Sequence, residues 1–452
     1  MSTLRRLAAV LLVALATASG LVLVAPGAAA VPGPTAYPEY WWDQWGVPAL
    51  WAAGHRGNGI TVAIIDSGVQ RIPELSAALK PGVDLTGLGG NGQTDRMVEA
   101  FSHGTGMASI VAARNGPQGM SGVAPSASIL PIAIPLQGVR SMTDTDRTAD
   151  AIDYAASHGA NIISMSFGAE RDPKEDGPQP CRPGVQAAVF RALLEGILLV
   201  ASSGNSGAGS PVEDPSVCLG VISVAAVDSS RAVAKFSSRH RYVTVAAPGV
   251  HVLSLNRAGV LYVGDGTSQA AALTSGALAL IWSAHPKETN RQIAARLMAG
   301  LSDAGPKGRD SSYGYGIINP GRSAGATVTD ASPNPVFAGA DPYLRSLTRS
   351  QKALPTPKAA VPATPGKAVR STAPTRSTTL RAVAALAVAA LALIVLIIAG
   401  WPRRRVVGAL SPSPGPHHWH QPPTALAPQI PGGRWQQPPP PWTGSPPGDH
   451  AG

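Results

Sequence analysis

The sequence predicts an α/β fold in which helices cover both faces of a mostly parallel central sheet, with one C-terminal transmembrane helix beyond it. Three observations lead there. Short apolar runs alternate with longer alanine-rich stretches from about Tyr40 to Ala324. The runs are apolar throughout rather than at every second residue, the pattern of strands buried on both faces. A separate run, 382–401, carries no charge and has about the 20 residues a helix needs to cross a bilayer.

Taken in order, ITVAIID (60–66) reads as a strand, HGTGMASIVAAR (103–114) as a helix and SILPIAI (128–134) as a strand. TADAIDYAASHG (148–159) reads as a helix, NIISMSFG (161–168) as a strand and VQAAVFRALLEG (185–196) as a helix. ILLVASSGN (197–205) and VISVAAV (221–227) are further strands. No internal repeat is present.

The flanks have a different character. Residues 1–30 combine Arg5 and Arg6, an apolar stretch from Leu7 and a small-residue close at Ala28-Ala29-Ala30, the layout of a secretory signal peptide, with a retained N-terminal anchor as the alternative. Residues 31–57 form an N-terminal extension and 58–325 the folded domain. Residues 326–381, rich in Pro, Ala, Thr and basic side chains, read as a linker with too few large apolar residues to fold. The span 382–401 and a Pro-rich disordered tail, 402–452, complete the chain. Charges around the span nearly balance, so the signal peptide decides the orientation: a cell-membrane, single-pass protein with the domain extracytoplasmic and the tail cytoplasmic.

The net charge of +10 belongs to the flanks, because residues 31–325 are close to neutral. A nucleic-acid partner for the folded domain is therefore not expected, whereas the basic flanks suit an anionic membrane surface. The two cysteines, Cys181 and Cys218, both fall in the exported region. One disulfide is the natural reading in an oxidising compartment, with two free buried thiols as the alternative. Neither has neighbours at metal-ligand spacing.

Four residues form a candidate catalytic constellation. Asp66 ends the strand ITVAIID, so its carboxylate points into the crevice beyond the C-terminal strand ends where open α/β sheets gather functional groups. His103 opens a helix. Ser268, in GDGTSQAAA, also stands at a helix start, and taken alone would be an ordinary cap. Asn205 follows the strand ILLVA. A serine hydroxyl needs a base to attack a carbonyl, which His103 would supply. Asp66 would hold the imidazole, and the Asn205 amide and Ser268 N–H would meet the oxyanion.

The blocks VAIIDSGV, SHGTGMASIVAA, NIISMSFG, VASSGNSG and GDGTSQAAA resemble, in order, the signature blocks of the subtilisin (subtilase) family of serine proteases, over about Trp45 to Pro320. The resemblance implies a subtilisin-like three-layer fold, with Asp66, His103 and Ser268 as the triad and Asn205 as oxyanion donor. It also implies that Ser166, Phe167 and Gly168, with Ser202, Ser203 and Gly204, pair with the substrate backbone and line the S1 pocket. Phe167 hints at apolar P1 contacts. The whole layout resembles the mycosins, membrane-anchored subtilases of type VII secretion systems.

That resemblance implies few secreted protein substrates and association with a secretion membrane complex. A mainly structural scaffold role in such a complex and a broad degradative protease are the alternatives. Many mycosins carry a second cysteine pair that is absent here, so any clamp on the N-terminal extension is expected to be non-covalent. Residues 31–65 leave no room for a folded pro-domain. No cofactor is expected; structural calcium is common in the family, but no D-x-D-x-D-like loop indicates it. Gln269 stands where subtilases usually carry Met or Phe, and Leu273 near a position commonly held by proline.

Overall fold

The computed structural model describes residues 39–98, 102–143, 145–171 and 181–353. The expected signal peptide, span and tail lie outside these residues, and among the described residues no helix is long and apolar enough to cross a membrane. Eleven strands follow in chain order: β1 (Thr61–Asp66), β2 (Val83–Asp84), β3 (Ser128–Ala133), β4 (Ile162–Met165), β5 (Ala169–Glu170), β6 (Leu198–Ser202), β7 (Glu213–Asp214), β8 (Val221–Val227), β9 (Val245–Pro248), β10 (Val252–Leu255) and β11 (Leu261–Gly264).

Seven of them make one parallel sheet in the order β2-β3-β1-β4-β6-β8-β9. β1, β6 and β8 are buried at every position, which explains their unbroken apolar sequence. The helices His103–Ala112 and Thr267–Ala284 pack on one another and on the sheet, while Thr148–Ser157 and Pro183–Leu194 form a second pair against β1, β3 and β6. The result is three layers. The Thr267–Ala284 helix is buried continuously from Thr267 to Trp282, as its apolar circumference requires. Because the chain runs outward in both directions from β1, strand order reverses between β1 and β4, and the crevice opens at their C-terminal ends.

Two boundaries depart from expectation. The strand expected over 161–168 ends at Met165, because Ser166 turns out of the ladder toward Ser268. The expected linker is folded at its start: helices Pro335–Ala338 and Asp341–Ala353 follow, and Val336, Phe337, Ala340 and Leu344 are buried. These few apolar side chains suffice because they cover an existing core rather than build a new one.

The N-terminal extension is bound without a covalent clamp. Trp41, Trp42, Trp45 and Trp51 are buried and in ring contact with one another. Trp51 Nε1 donates to the Val123 carbonyl at 3.0 Å, and Gly321 N to the Trp45 carbonyl at 2.9 Å. The Glu39 carboxylate accepts from Leu253 N at 2.8 Å, which ties the strap to the β10–β11 hairpin.

Candidate active site

Asp66, the last residue of β1, is fully buried, and Ser67 N donates to its Oδ1 at 2.7 Å. His103 Nδ1 lies 2.9 Å from both carboxylate oxygens. A carboxylate only accepts, so Nδ1 carries the proton and Nε2 is left as the basic nitrogen. Burial alone pushes the His103 pKa down; the charge and hydrogen bond of Asp66, with the charge on Asp95, outweigh it and leave a raised value. Ser102, immediately before the helix, has φ 57°, a left-handed conformation uncommon for serine and of the kind that collects at functional sites.

Asp95 is a member of this cluster that the sequence did not single out. Its Oδ1 accepts from Ser67 Oγ at 2.8 Å, and Ser67 Oγ accepts from Gly104 N at 2.9 Å. Its Oδ2 accepts from Thr105 N at 2.9 Å and from Thr105 Oγ1 at 2.5 Å. One buried carboxylate thus ties the exit of β1 to the first turn of the His103 helix. Its own pKa is raised by burial, against those hydrogen bonds.

Ser268 is 7% exposed, and its Oγ donates to the Ser166 carbonyl at 2.9 Å. Ser166 Oγ in turn donates to the Ser268 carbonyl at 3.1 Å. Among the described residues no hydrogen bond joins Ser268 to His103, so attack requires the hydroxyl to rotate out of the Ser166 contact. Asn205 is held from one side only. Its Oδ1 accepts from Thr267 N and Thr267 Oγ1, both at 2.9 Å, while Thr267 Oγ1 accepts from Gly204 N at 3.2 Å. That fixes the amide plane and leaves its NH₂ as an exposed donor beside the N-terminus of the Ser268 helix, where the macrodipole also favours negative charge.

The six expected substrate-contacting residues divide in two. The Ser203 carbonyl already accepts from Tyr242 Oη at 3.1 Å and the Gly204 carbonyl from Ser238 N at 2.9 Å, while Ser202 lies in β6. On the 166–168 side, the Ser166 carbonyl is engaged in turn by Ser268 Oγ. Phe167 is half-buried with its ring against the hydrophobic core. Gln269 is not in solvent: it is buried, packed against Gly264 and Gly266, and its Oε1 has no hydrogen-bond partner. Cys181 and Cys218 are joined in a disulfide. Among the described residues, no group of three or more His, Cys, Asp or Glu side chains is placed to hold a metal ion.

The chain matches the Peptidase S8 family, described as the subtilase family, over residues 57–316. It belongs to that family and is a serine endopeptidase of subtilase type. Subtilisin E of Bacillus subtilis (strain 168) is 34% identical over 276 residues, covering 60% of this chain and 67% of the relative. The minor extracellular protease Epr of the same organism is 31% identical over 281 residues, 61% of this chain and 41% of Epr, so the chain spans less than half of that relative. Among solved structures, the MycP3 protease from the type VII (ESX-3) secretion system is 28% identical with TM-score 0.55, covering 66% of this chain and 90% of that one. MycP1 from Mycobacterium smegmatis, at 24% identity and TM-score 0.58, shares the fold over 69% of this chain and 89% of its own.

Proposed function

We propose that the protein is a membrane-anchored, extracytoplasmic serine endopeptidase that cleaves a few secreted proteins in association with a type VII secretion system, with Ser268 as nucleophile. The observation that carries the catalytic part is the pair of 2.9 Å contacts from His103 Nδ1 to the buried Asp66, in the crevice where the Ser268 helix begins. In this reading His103 Nε2 takes the Ser268 hydroxyl proton as Oγ bonds to the scissile carbonyl carbon. The resulting oxyanion is met by Asn205 Nδ2 and the Ser268 N–H. The imidazolium, stabilised by Asp66, then gives its proton to the leaving amine as the C–N bond breaks. Water repeats the sequence on the acyl-enzyme.

The exported, anchored arrangement is supported by residues 1–30 and 382–401 of the sequence, and the secretion association by likeness to MycP3. A scaffold role is the second reading, supported by a MycP1 structure, 28% identical, whose protein is described as an essential component of the type VII (ESX-1) secretion system. Hydrolysis of an unfolded protein by the purified chain, absent in Ser268→Ala and His103→Ala, tests catalysis; equal hydrolysis by the variants would refute it. Export of secreted proteins separates the two roles. A Ser268→Ala strain that secretes normally where a deletion strain fails favours the scaffold, and equal failure favours proteolysis.

A further inference from the structure

The walls of the cleft beside Ser268 are residues 166–168, leaving β4, and 202–204, leaving the adjacent parallel strand β6. Into the space between them comes the side chain of Glu213, from the two-residue strand β7. Gly168 and Gly204 face it from opposite sides. A Cβ added to Gly168 would lie 2.0 Å from Glu213 Oε2, and one added to Gly204 would lie 2.0 Å from Oε1. The carboxylate therefore spans the slot, one oxygen over each glycine. Gly204 also has φ +108°, so a side chain there is excluded twice over.

We propose that Glu213 is the floor of the S1 pocket and makes the enzyme select a cationic P1 side chain, lysine or arginine, while excluding aromatic ones. The proposal rests on the serine-endopeptidase reading of Ser268 and gives that site its substrate class. Three further observations support it. First, Glu213 is buried, 7% exposed, yet no hydrogen bond or ion pair to its carboxylate is present among the described residues. Burying an unpaired carboxylate is costly, and an incoming ammonium or guanidinium removes that cost.

Second, its neighbours do not neutralise it. Antiparallel pairing of β5 and β7 sets Glu170 directly opposite Glu213, acid against acid. Asp214, next along β7, is committed to Arg182, whose N and Nε donate to Asp214 Oδ2 at 3.1 and 2.7 Å, and Arg171 Nε lies 3.8 Å from the same Asp214 oxygen. Among the described residues Tyr242 is a further titratable neighbour, and it points its hydroxyl to the Ser203 carbonyl. Third, the floor is anchored. The Arg182–Asp214 pair and the Cys181–Cys218 disulfide hold its C-terminal side, Arg171 N donates to the Val212 carbonyl at 2.8 Å on the other side, and Val217 N donates to the Glu213 carbonyl at 3.0 Å. A lysine stem that ends at the mouth of the slot presents its charge to the carboxylate, whereas an aromatic ring needs the very slot the carboxylate fills. Phe167, its ring against the core, supplies no alternative apolar floor.

Burial, then the charge on Glu170, push the Glu213 carboxyl up to about 7. The anionic form that a P1 cation needs is thus complete only above that value, and the preference for lysine weakens as pH falls through it.

The test uses the full chain in detergent and peptidyl phosphonate diphenyl esters differing only at P1, which bond to the serine nucleophile. Second-order inactivation rates are read for P1 lysine, leucine, phenylalanine and alanine. The expected result is a rate for lysine at least about tenfold above leucine, with phenylalanine slowest, and a lysine-to-leucine ratio that falls from pH 8.5 to pH 6. Glu213→Gln should collapse that ratio toward unity, and Glu213→Gly should admit phenylalanine. Leucine or alanine faster than lysine in the wild type would overturn the proposal, since the carboxylate would then be a plug rather than a receptor. So would a ratio unchanged in Glu213→Gln. A small alkyl fluorophosphonate, which has no P1 group, keeps the two readings apart. If it labels Ser268 while the lysine preference is absent, only the S1 assignment fails; if it does not label, the nucleophile itself is wrong.

Discussion

Asp66 and Glu213 are both buried carboxylates, and their surroundings are opposite. Asp66 accepts from Ser67 N and faces His103 Nδ1 with both oxygens. Glu213 stands opposite Glu170, and among the described residues its carboxylate accepts no hydrogen bond. In the first case the protein supplies every partner the charge needs, so the group is pre-organised for a proton transfer that recurs in each turnover. In the second no described residue supplies a partner, so under the S1 proposal the group is completed by what binds. The contrast separates the part of the cleft that performs the reaction from the part that chooses the substrate.

The contrast is tested hardest on the satisfied side. Asp66→Asn keeps the shape but cannot hold the imidazole tautomer, and kcat should fall by about 10⁴; a fall of less than tenfold in peptide hydrolysis would mean His103 does not depend on Asp66. Asn205 is the mixed case, satisfied at Oδ1 by Thr267 and free at Nδ2. Asn205→Ala should lower kcat by about 10² to 10³ with KM little changed, and an effect confined to KM would move Asn205 from the oxyanion site to the substrate cleft.

A smaller effect is expected from Asp95, whose charge helps to raise His103. Removing it in Asp95→Asn should shift the acidic limb of the kcat/KM profile to lower pH by less than about one unit. A shift upward would show that Asp95 does not act on His103 through its charge. The smallest effect concerns Glu39, a half-buried acid whose pKa is pushed up to about 7 by burial, against the Leu253 hydrogen bond. The native state binds this proton more tightly than the unfolded chain does. Its contribution to stability is therefore complete below the ordinary carboxyl value of 4.5 and is lost as pH rises through about 7. Glu39→Gln keeps the neutral form, so in urea unfolding it should gain about 1 kcal/mol on the wild type between pH 5 and pH 8; a difference independent of pH would contradict this.

Much of this was legible in the sequence where periodicity is strong. β1, β3 and β8, with the helices that begin at His103 and Thr148, stand where their apolar runs place them to within a few residues, because continuous burial leaves continuous apolar sequence. Asp66 and His103 meet for the same reason: one ends β1 and the other opens the helix packed on it. Glu213 was not legible. Its strand is two residues long in a loop rich in Ser, Gly and Pro, and nothing local shows that pairing with β5 carries it between two distant glycines.

Asp95 left only the signal of an acid upstream of HGT, and its role depends on three residues from two elements. Gln269 is buried despite its polarity, because its helix is buried all round. The helices Pro335–Ala338 and Asp341–Ala353 lie in a stretch whose composition cannot form a core, a limit that does not apply to segments covering one.

The account stands most directly on which atom of the protein is the nucleophile. Treating the intact chain with an alkyl fluorophosphonate and locating the adduct by mass spectrometry answers this. The predicted result is a single adduct on Ser268, lost in Ser268→Ala and strongly slowed in His103→Ala. Labelling that persists undiminished in Ser268→Ala, or an adduct on any other residue, would contradict it.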